Sequence, residues 1–318
     1  MCQLSKDCEG VSSDSPRKVI TMSDASSFIC PECHGQLLQQ ASGYVCVACN
    51  RVYPIRSGIH LFTPHGLVSH TMEDIRAWDD PDSGRAEHLE PWRALLTKEP
   101  LIRDFEENVL SQFSLTGQFL EVGGGMCWAS YLAKNRFPDC VVYASDVAYS
   151  ALLRAEQLSG LMKLQPDFHL TLDVQSCPFP DDFFDFVFGS ATLHHIPDLV
   201  KGLSEVRRIL KPEGRLIVMQ EHALSPLFQM LVRRFNIKGP GKETEKYAMQ
   251  ESLLSLGQFK RAFKQAGFSD VVYSACKNPQ YKHLYPKSVI AYYVALSVLP
   301  DFVTMNLLGS EIHIVARK

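Results

Sequence analysis

The sequence predicts an α/β protein, a doubly wound and mostly parallel sheet preceded by a small metal-stapled unit. Three observations predict it. From Gly117 onward, short apolar runs alternate with helical patterns, the βαβ signature of a parallel sheet. A glycine-rich turn, Gly123-Gly124-Gly125, sits directly between one such run and a helix. Near the N-terminus, Cys30-Pro31-Glu32-Cys33 and Cys46-Val47-Ala48-Cys49 form two C-x2-C pairs with 12 residues between them.

A length of 318 residues predicts about two domains, and 46 % hydrophobic residues supply at least one full core, which excludes a wholly disordered chain. With 32 Lys+Arg against 35 Asp+Glu, no global basic field exists to hold a polyphosphate, so a nucleic-acid substrate would need a local patch. The longest apolar run, 289–299, is 11 residues, too short for the roughly 20 that span a bilayer. Residues 1–27 are Ser- and Asp-rich and carry no apolar core of a secretory signal; they read as a mobile tail in a cytoplasmic, reducing setting.

In that setting cysteine spacing matters more than pairing. Each C-x2-C knuckle presents two thiolates from a tight turn, and together Cys30, Cys33, Cys46 and Cys49 complete a tetrahedral S4 site suited to a structural zinc ion. Four protein ligands leave no position for water, so the metal would hold residues 28–65 together and do no chemistry. His34 and His60 are expected to be solvent-exposed. Residues 66–116 read as a linker with preliminary helices at 72–78 and 91–112.

Strands are expected at 118–122, 141–145, 168–172, 184–188, 215–219, 270–275 and 311–316, and helices at 126–136, 148–160, 198–210 and 251–266. Two stretches exceed what this core needs. Residues 223–250 carry Leu227 to Phe235 followed by Lys238, Lys242 and Lys246, a pattern that suits a lid over an amphipathic or anionic acceptor or a solvated helix face. Residues 277–309, with Tyr281, Tyr285, Tyr292 and Tyr293, could line an apolar pocket, dock a partner or pack the metal-stapled unit.

The glycine turn lets a ligand approach the backbone closely where the next helix offers unpaired N–H groups. A G-x-G-x-x-G dinucleotide fingerprint is broken by Trp128 at its third position, and Glu121 just before the loop would repel a pyrophosphate. A cationic ligand is preferred. Asp146 ends the second strand 21 residues beyond Gly125, the place from which an acid accepts ribose hydroxyls.

Residues 117–220 resemble the class I S-adenosylmethionine-dependent methyltransferases, on Glu121-Val122-Gly123-Gly124-Gly125, on Asp146, and on the passage 177–185 that is similar to the family's LPFPDxSFD. The resemblance implies a Rossmann-like, seven-stranded fold and S-adenosyl-L-methionine as cofactor. It places Glu121, Gly123 and Gly125 under the methionine part and Asp146 on the ribose. Asp173 and the backbone of Val174 would take the adenine, with Ser190 at the fourth strand's end near the methyl group. The family commonly has glycine where this chain has Cys127. His195, in Leu193-His194-His195, is the candidate general base, being able to titrate near neutrality.

The stretch Tyr53-Pro54-Ile55-Arg56-Ser57-Gly58-Ile59 after the second knuckle resembles the zinc-ribbon proteins related to the activator subunit of tRNA and protein methyltransferases. The expected function is methyl transfer to oxygen or carbon of a small or lipid-like metabolite. An rRNA or tRNA methyltransferase is the alternative, although residues 26–65 carry only Arg51 and Arg56 against Glu32, a weak footprint for RNA. A non-catalytic scaffold whose ribbon docks a protein partner is the second alternative.

Overall fold

The computed structural model describes residues 28–64, 67, 69–80, 98–223, 225, 254–276, 298–305 and 310–318. The expected tail, the apolar and basic stretch 227–246 and the four tyrosines of 281–293 lie outside the described residues.

Four short strands come first: β1 (Leu37–Gln40), β2 (Gly43–Cys46), β3 (Val52–Arg56) and β4 (Ile59–Leu61). Helices α1 (Ser69–Asp79) and α2 (Glu99–Phe105) follow, the latter running on into a π-helical turn, Glu106–Leu110. Then come β5 (Gln118–Val122), α3 (Trp128–Arg136), β6 (Val141–Asp146), α4 (Tyr149–Met162), β7 (Phe168–Thr171), β8 (Phe184–Ser190), α5 (Leu199–Ile209) and β9 (Leu210–Ala223). The chain ends with α6 (Leu256–Gln265), β10 (Asp270–Ala275) and β11 (Ser310–Arg317).

All seven expected strands are present, but they form part of a mixed sheet of 11, in the order β1-β2-β3-β4-β7-β6-β5-β8-β9-β11-β10. The strands from β4 to β9 run parallel, and β11 is antiparallel to both neighbours. This corrects the expectation of seven strands. A sheet ending at β7 would leave a row of unpaired backbone groups, and β4 takes that edge in parallel register, Ile59 against His169 and Leu61 against Thr171.

Alternation along the strands builds the two faces of the sheet. Leu120, Val122, Val187, Leu216 and Val218 pack with Leu203 and Val206 of α5 and Phe259 and Phe263 of α6. Phe119, Phe188, Ile217 and Met219 face the other way, against Phe105 of α2 and Trp128 of α3. Local caps set the helix starts: the Asp198 carboxylate accepts from the Lys201 N–H at 3.0 Å, and Ser255 and Gln258 form a reciprocal capping box. Asp185 ties the start of β8 to its neighbours, accepting from the Gln118 N–H at 2.8 Å and from Lys211 at 2.7 Å.

Phe28 seats the N-terminal segment on the sheet. Its ring lies 4.8 Å from Phe62 and 5.6 to 6.4 Å from Tyr44, Tyr143, Phe168 and Phe179. The Ile29 N–H donates to the Pro178 carbonyl at 3.0 Å, and the Ser176 hydroxyl donates to the Pro31 carbonyl. His60, expected on the surface, is instead buried within this cluster with Nδ1 3.0 Å from the Tyr44 hydroxyl, and burial pushes its imidazole down to about 4. The correction follows from β4 docking, which turns a loop-like histidine inward. Replacing Phe28 by Leu keeps most of the volume but removes its ring contacts with six aromatic neighbours, His60 among them; we expect a loss of about 1 kcal/mol in denaturant unfolding. An unchanged midpoint would count against this seating.

Candidate active site

The carboxyl ends of β5, β6, β8 and β9 converge on the glycine turn, where an open α/β sheet binds its ligands. Gly123 and Gly125 take positive φ of 59° and 56°. A Cβ on Gly123 would lie 2.4 Å from the Thr192 methyl, and one on Gly125 would lie 2.9 Å from the Trp78 ring, so both positions require glycine. Trp78 belongs to α1, which therefore roofs the loop. Cys127 also adopts positive φ, 53°, and its thiol is buried, donating at 3.6 Å to the Gly125 carbonyl. The departure from glycine is thus accommodated by folding the side chain beneath the loop.

Asp146 braces the turn from β6. Its Oδ2 accepts from the Gly125 N–H at 2.8 Å and its Oδ1 accepts from the Ala148 N–H at 2.9 Å. Glu121 is fully buried below the turn, and its Oε2 accepts from the Ser130 N–H of α3 at 2.7 Å. Burial raises its carboxyl to about 7, with a smaller upward push from Asp146.

Asp173 follows β7 and accepts from the Gln175 N–H at 2.9 Å, the turn geometry common for this residue type. Beside it Val174 packs near Gly202 of α5. Ser190 ends β8 with a hydroxyl that is buried and, among the described residues, has no hydrogen-bond partner. His195 lies in the 3₁₀ turn Leu193–His195, its N–H donating to the Thr192 carbonyl at 3.1 Å and its Nδ1 3.7 Å from the Asp74 carboxylate of α1.

Glu221, at the end of β9, was not anticipated. This buried carboxylate accepts from the N–H groups of Thr192 and Leu193, both at 2.7 Å, and lies 2.9 Å from His194 Nδ1. Burial works against its charge, but His194 and the backbone donors outweigh burial and hold the carboxyl below its usual value. The available signal was an acid closing a strand, the same position that Asp146 occupies on β6.

The cysteines of the two knuckles also converge. Cys33 and Cys46 sulfurs are 3.4 Å apart, Cys30 and Cys49 3.7 Å, and all four lie within 4.8 Å of one another. Tetrahedral thiolates at about 2.3 Å from an ion are about 3.8 Å apart, so the set is of the right size for zinc. The Tyr53 hydroxyl, 3.2 Å from Cys30 Sγ, is placed to donate to that thiolate.

Residues 120–218 match the family model for a methyltransferase domain. The matched segment runs from within β5 to within β9 and includes the glycine turn, Asp146 and His195. Among curated proteins the chain is similar to the ubiquinone/menaquinone biosynthesis C-methyltransferase UbiE of Rickettsia bellii, 27 % identical over 154 residues, covering 44 % of this chain and 62 % of that protein. It is also similar to the demethylmenaquinone methyltransferase of Anoxybacillus flavithermus, 29 % identical over 159 residues, covering 45 % of this chain and 66 % of the other. The chain therefore spans somewhat under two thirds of these relatives. In structure, the geranyl diphosphate C-methyltransferase of Streptomyces coelicolor superposes with a TM-score of 0.55 at 13 % identity, covering 80 % of this chain and 99 % of that one. That likeness shows a Rossmann-like α/β fold of the class I methyltransferase type. Among the described residues, no helix is long and apolar enough to cross a membrane.

Proposed function

We propose that the chain is an S-adenosylmethionine-dependent methyltransferase acting on oxygen or carbon of a small or lipid-like metabolite, with Cys30, Cys33, Cys46 and Cys49 holding a structural zinc ion in an N-terminal ribbon. The observation that carries the reading is the braced glycine turn. Asp146 fixes it from below, an acid and a buried, unpartnered Ser190 hydroxyl flank it, and Trp78 covers it. One relative is a ubiquinone/menaquinone biosynthesis C-methyltransferase and the other a demethylmenaquinone methyltransferase, which supports a lipid-like acceptor.

When bound, the cofactor supplies an electrophilic methyl group on a sulfonium centre. Asp146 would accept the ribose hydroxyls, Asp173 and the Val174 backbone would hold the adenine, and Ser190 would donate near the methionine end. Glu121 would compensate the positive charge from beneath Gly123 and Gly125. Methyl transfer is an in-line displacement helped chiefly by alignment and exclusion of water, which the α1 roof provides. His195 would take the acceptor's proton, with Asp74 orienting its ring.

Charge compensation by Glu121 makes cofactor affinity depend on pH. A carboxyl raised to about 7 is largely neutral at pH 6 and must lose its proton to face a cation. Affinity for S-adenosylmethionine is expected to rise about tenfold from pH 6 to pH 8, and Glu121→Gln to flatten that rise. The sign for stability is opposite. Because the folded value lies above the unfolded one, this group's contribution is present below about 4.5 and is lost as pH rises through 7.

Calorimetric titration of zinc-replete protein with S-adenosylmethionine and S-adenosylhomocysteine tests the reading, followed by transfer of labelled methyl to a prenylated hydroquinone. Micromolar binding, about −8 kcal/mol, is expected. Absence of binding to both compounds would overturn it.

A further inference from the structure

A second cluster of metal-ligand side chains lies on the sheet face that carries α2. Asp104 comes from α2, Cys276 from the residue after β10, and His313 from β11. Asp104 Oδ2 is 3.0 Å from His313 Nε2 and 4.0 Å from Cys276 Sγ, and the three donor atoms lie within 4.8 Å of one another. Asp104 and Cys276 are buried and His313 nearly so.

A plain aspartate–histidine pair does not account for this arrangement. Although 3.0 Å from the carboxylate, His313 Nε2 is buried and makes no aligned hydrogen bond among the described residues. The in-plane direction of that nitrogen is thus not aimed at Asp104. Glu311, two residues earlier on β11 and buried to 5 % exposure, has its carboxyl against Cys276 and leaves Oε2 without a partner among the described residues. Two acids, an imidazole and a thiol are therefore gathered in one buried place with two polar atoms unsatisfied, a combination that a cation would resolve. The Asn108 amide donates to Asp104 Oδ1 at 2.6 Å, which orients the carboxylate and leaves Oδ2 for the shared centre.

We propose that Asp104, Cys276 and His313 form a binding site for a divalent metal of the zinc class. One thiolate, one imidazole and one carboxylate suit a borderline-soft ion, and donors about 2.0 to 2.3 Å from it would sit about 3.3 to 3.8 Å apart, a few tenths of an ångström from the 3.0 and 4.0 Å found here. Three protein ligands leave the fourth position to a water. The site lies beside the carboxyl end of β9, where Ile312 pairs with Glu221, and is separate from the four-cysteine cluster. It does not depend on the methyltransferase reading.

Metal content of the purified full-length chain, after zinc loading and removal of free ion, tests the site. Two zinc ions per chain are expected. His313→Gln, Asp104→Asn and Cys276→Ser should each lower the count by one, as should Cys30→Ser with Cys33→Ser, and the cysteine and histidine changes together should bring it to zero. A count that these three variants leave unchanged overturns the proposal. Should the variants not fold cooperatively, the native chain decides: with the cysteine cluster filled by zinc, added Co2+ should give a thiolate-to-cobalt absorption band at one equivalent. No such band in the native chain overturns the proposal equally.

Discussion

Replacing Asp146 by Ala is expected to weaken S-adenosylmethionine binding at least 100-fold, about 3 kcal/mol, while leaving the far-ultraviolet circular dichroism of the chain unchanged. Two effects combine. The variant loses a charged acceptor for ribose hydroxyls, each such bond being worth roughly 1.5 to 3 kcal/mol. It also frees the Gly125 N–H, held at 2.8 Å by Asp146 Oδ2, so the turn loses the geometry that admits the ligand. Asp146→Asn keeps the shape and one carbonyl acceptor and should fall between. Calorimetry separates these cases. An Ala variant binding within threefold of the native chain would remove Asp146 from the cofactor site.

The second large effect concerns stability. Glu221→Ala should cost about 3 to 5 kcal/mol in denaturant unfolding, the range for removing one partner of a buried charged network. The carboxylate satisfies the N–H groups of Thr192 and Leu193 and anchors His194, and it is fully buried. Because its folded value lies below the unfolded one, its contribution is present above about pH 4.5 and is lost as pH falls through the folded value. The variant should therefore be less stable at pH 7 and less sensitive to acid than the native chain. A loss under 1 kcal/mol would mean that the turn is held by other contacts.

What could be read in the sequence was local. Strand β5, its turn and α3 are contiguous, so Gly123, Gly125 and the change of hydrophobic period could be seen together, and Asp146 could be reached by counting along one βαβ unit. The C-x2-C spacing is local in the same sense. Glu221 and His194 meet only because β8 and β9 lie side by side, and nothing in either segment names the other. Trp78 over Gly125 and β4 beside β7 likewise depend on packing between distant segments, and so did the burial of His60. Helix 72–78 was visible as a helix, whereas its role as a roof over the loop was not.

The parallel pairing of β4 with β7 carries a consequence for biosynthesis. Ile59 leaves the ribosome roughly 110 residues before its partner His169, an interval of about 5 to 20 seconds at ordinary elongation rates. During that time the two cysteine knuckles must stand alone, closed by their own turns and by whatever metal they capture, while Phe28 and Phe62 wait for their aromatic neighbours. Metal supply during translation, rather than after it, would then set the yield of correctly assembled chains.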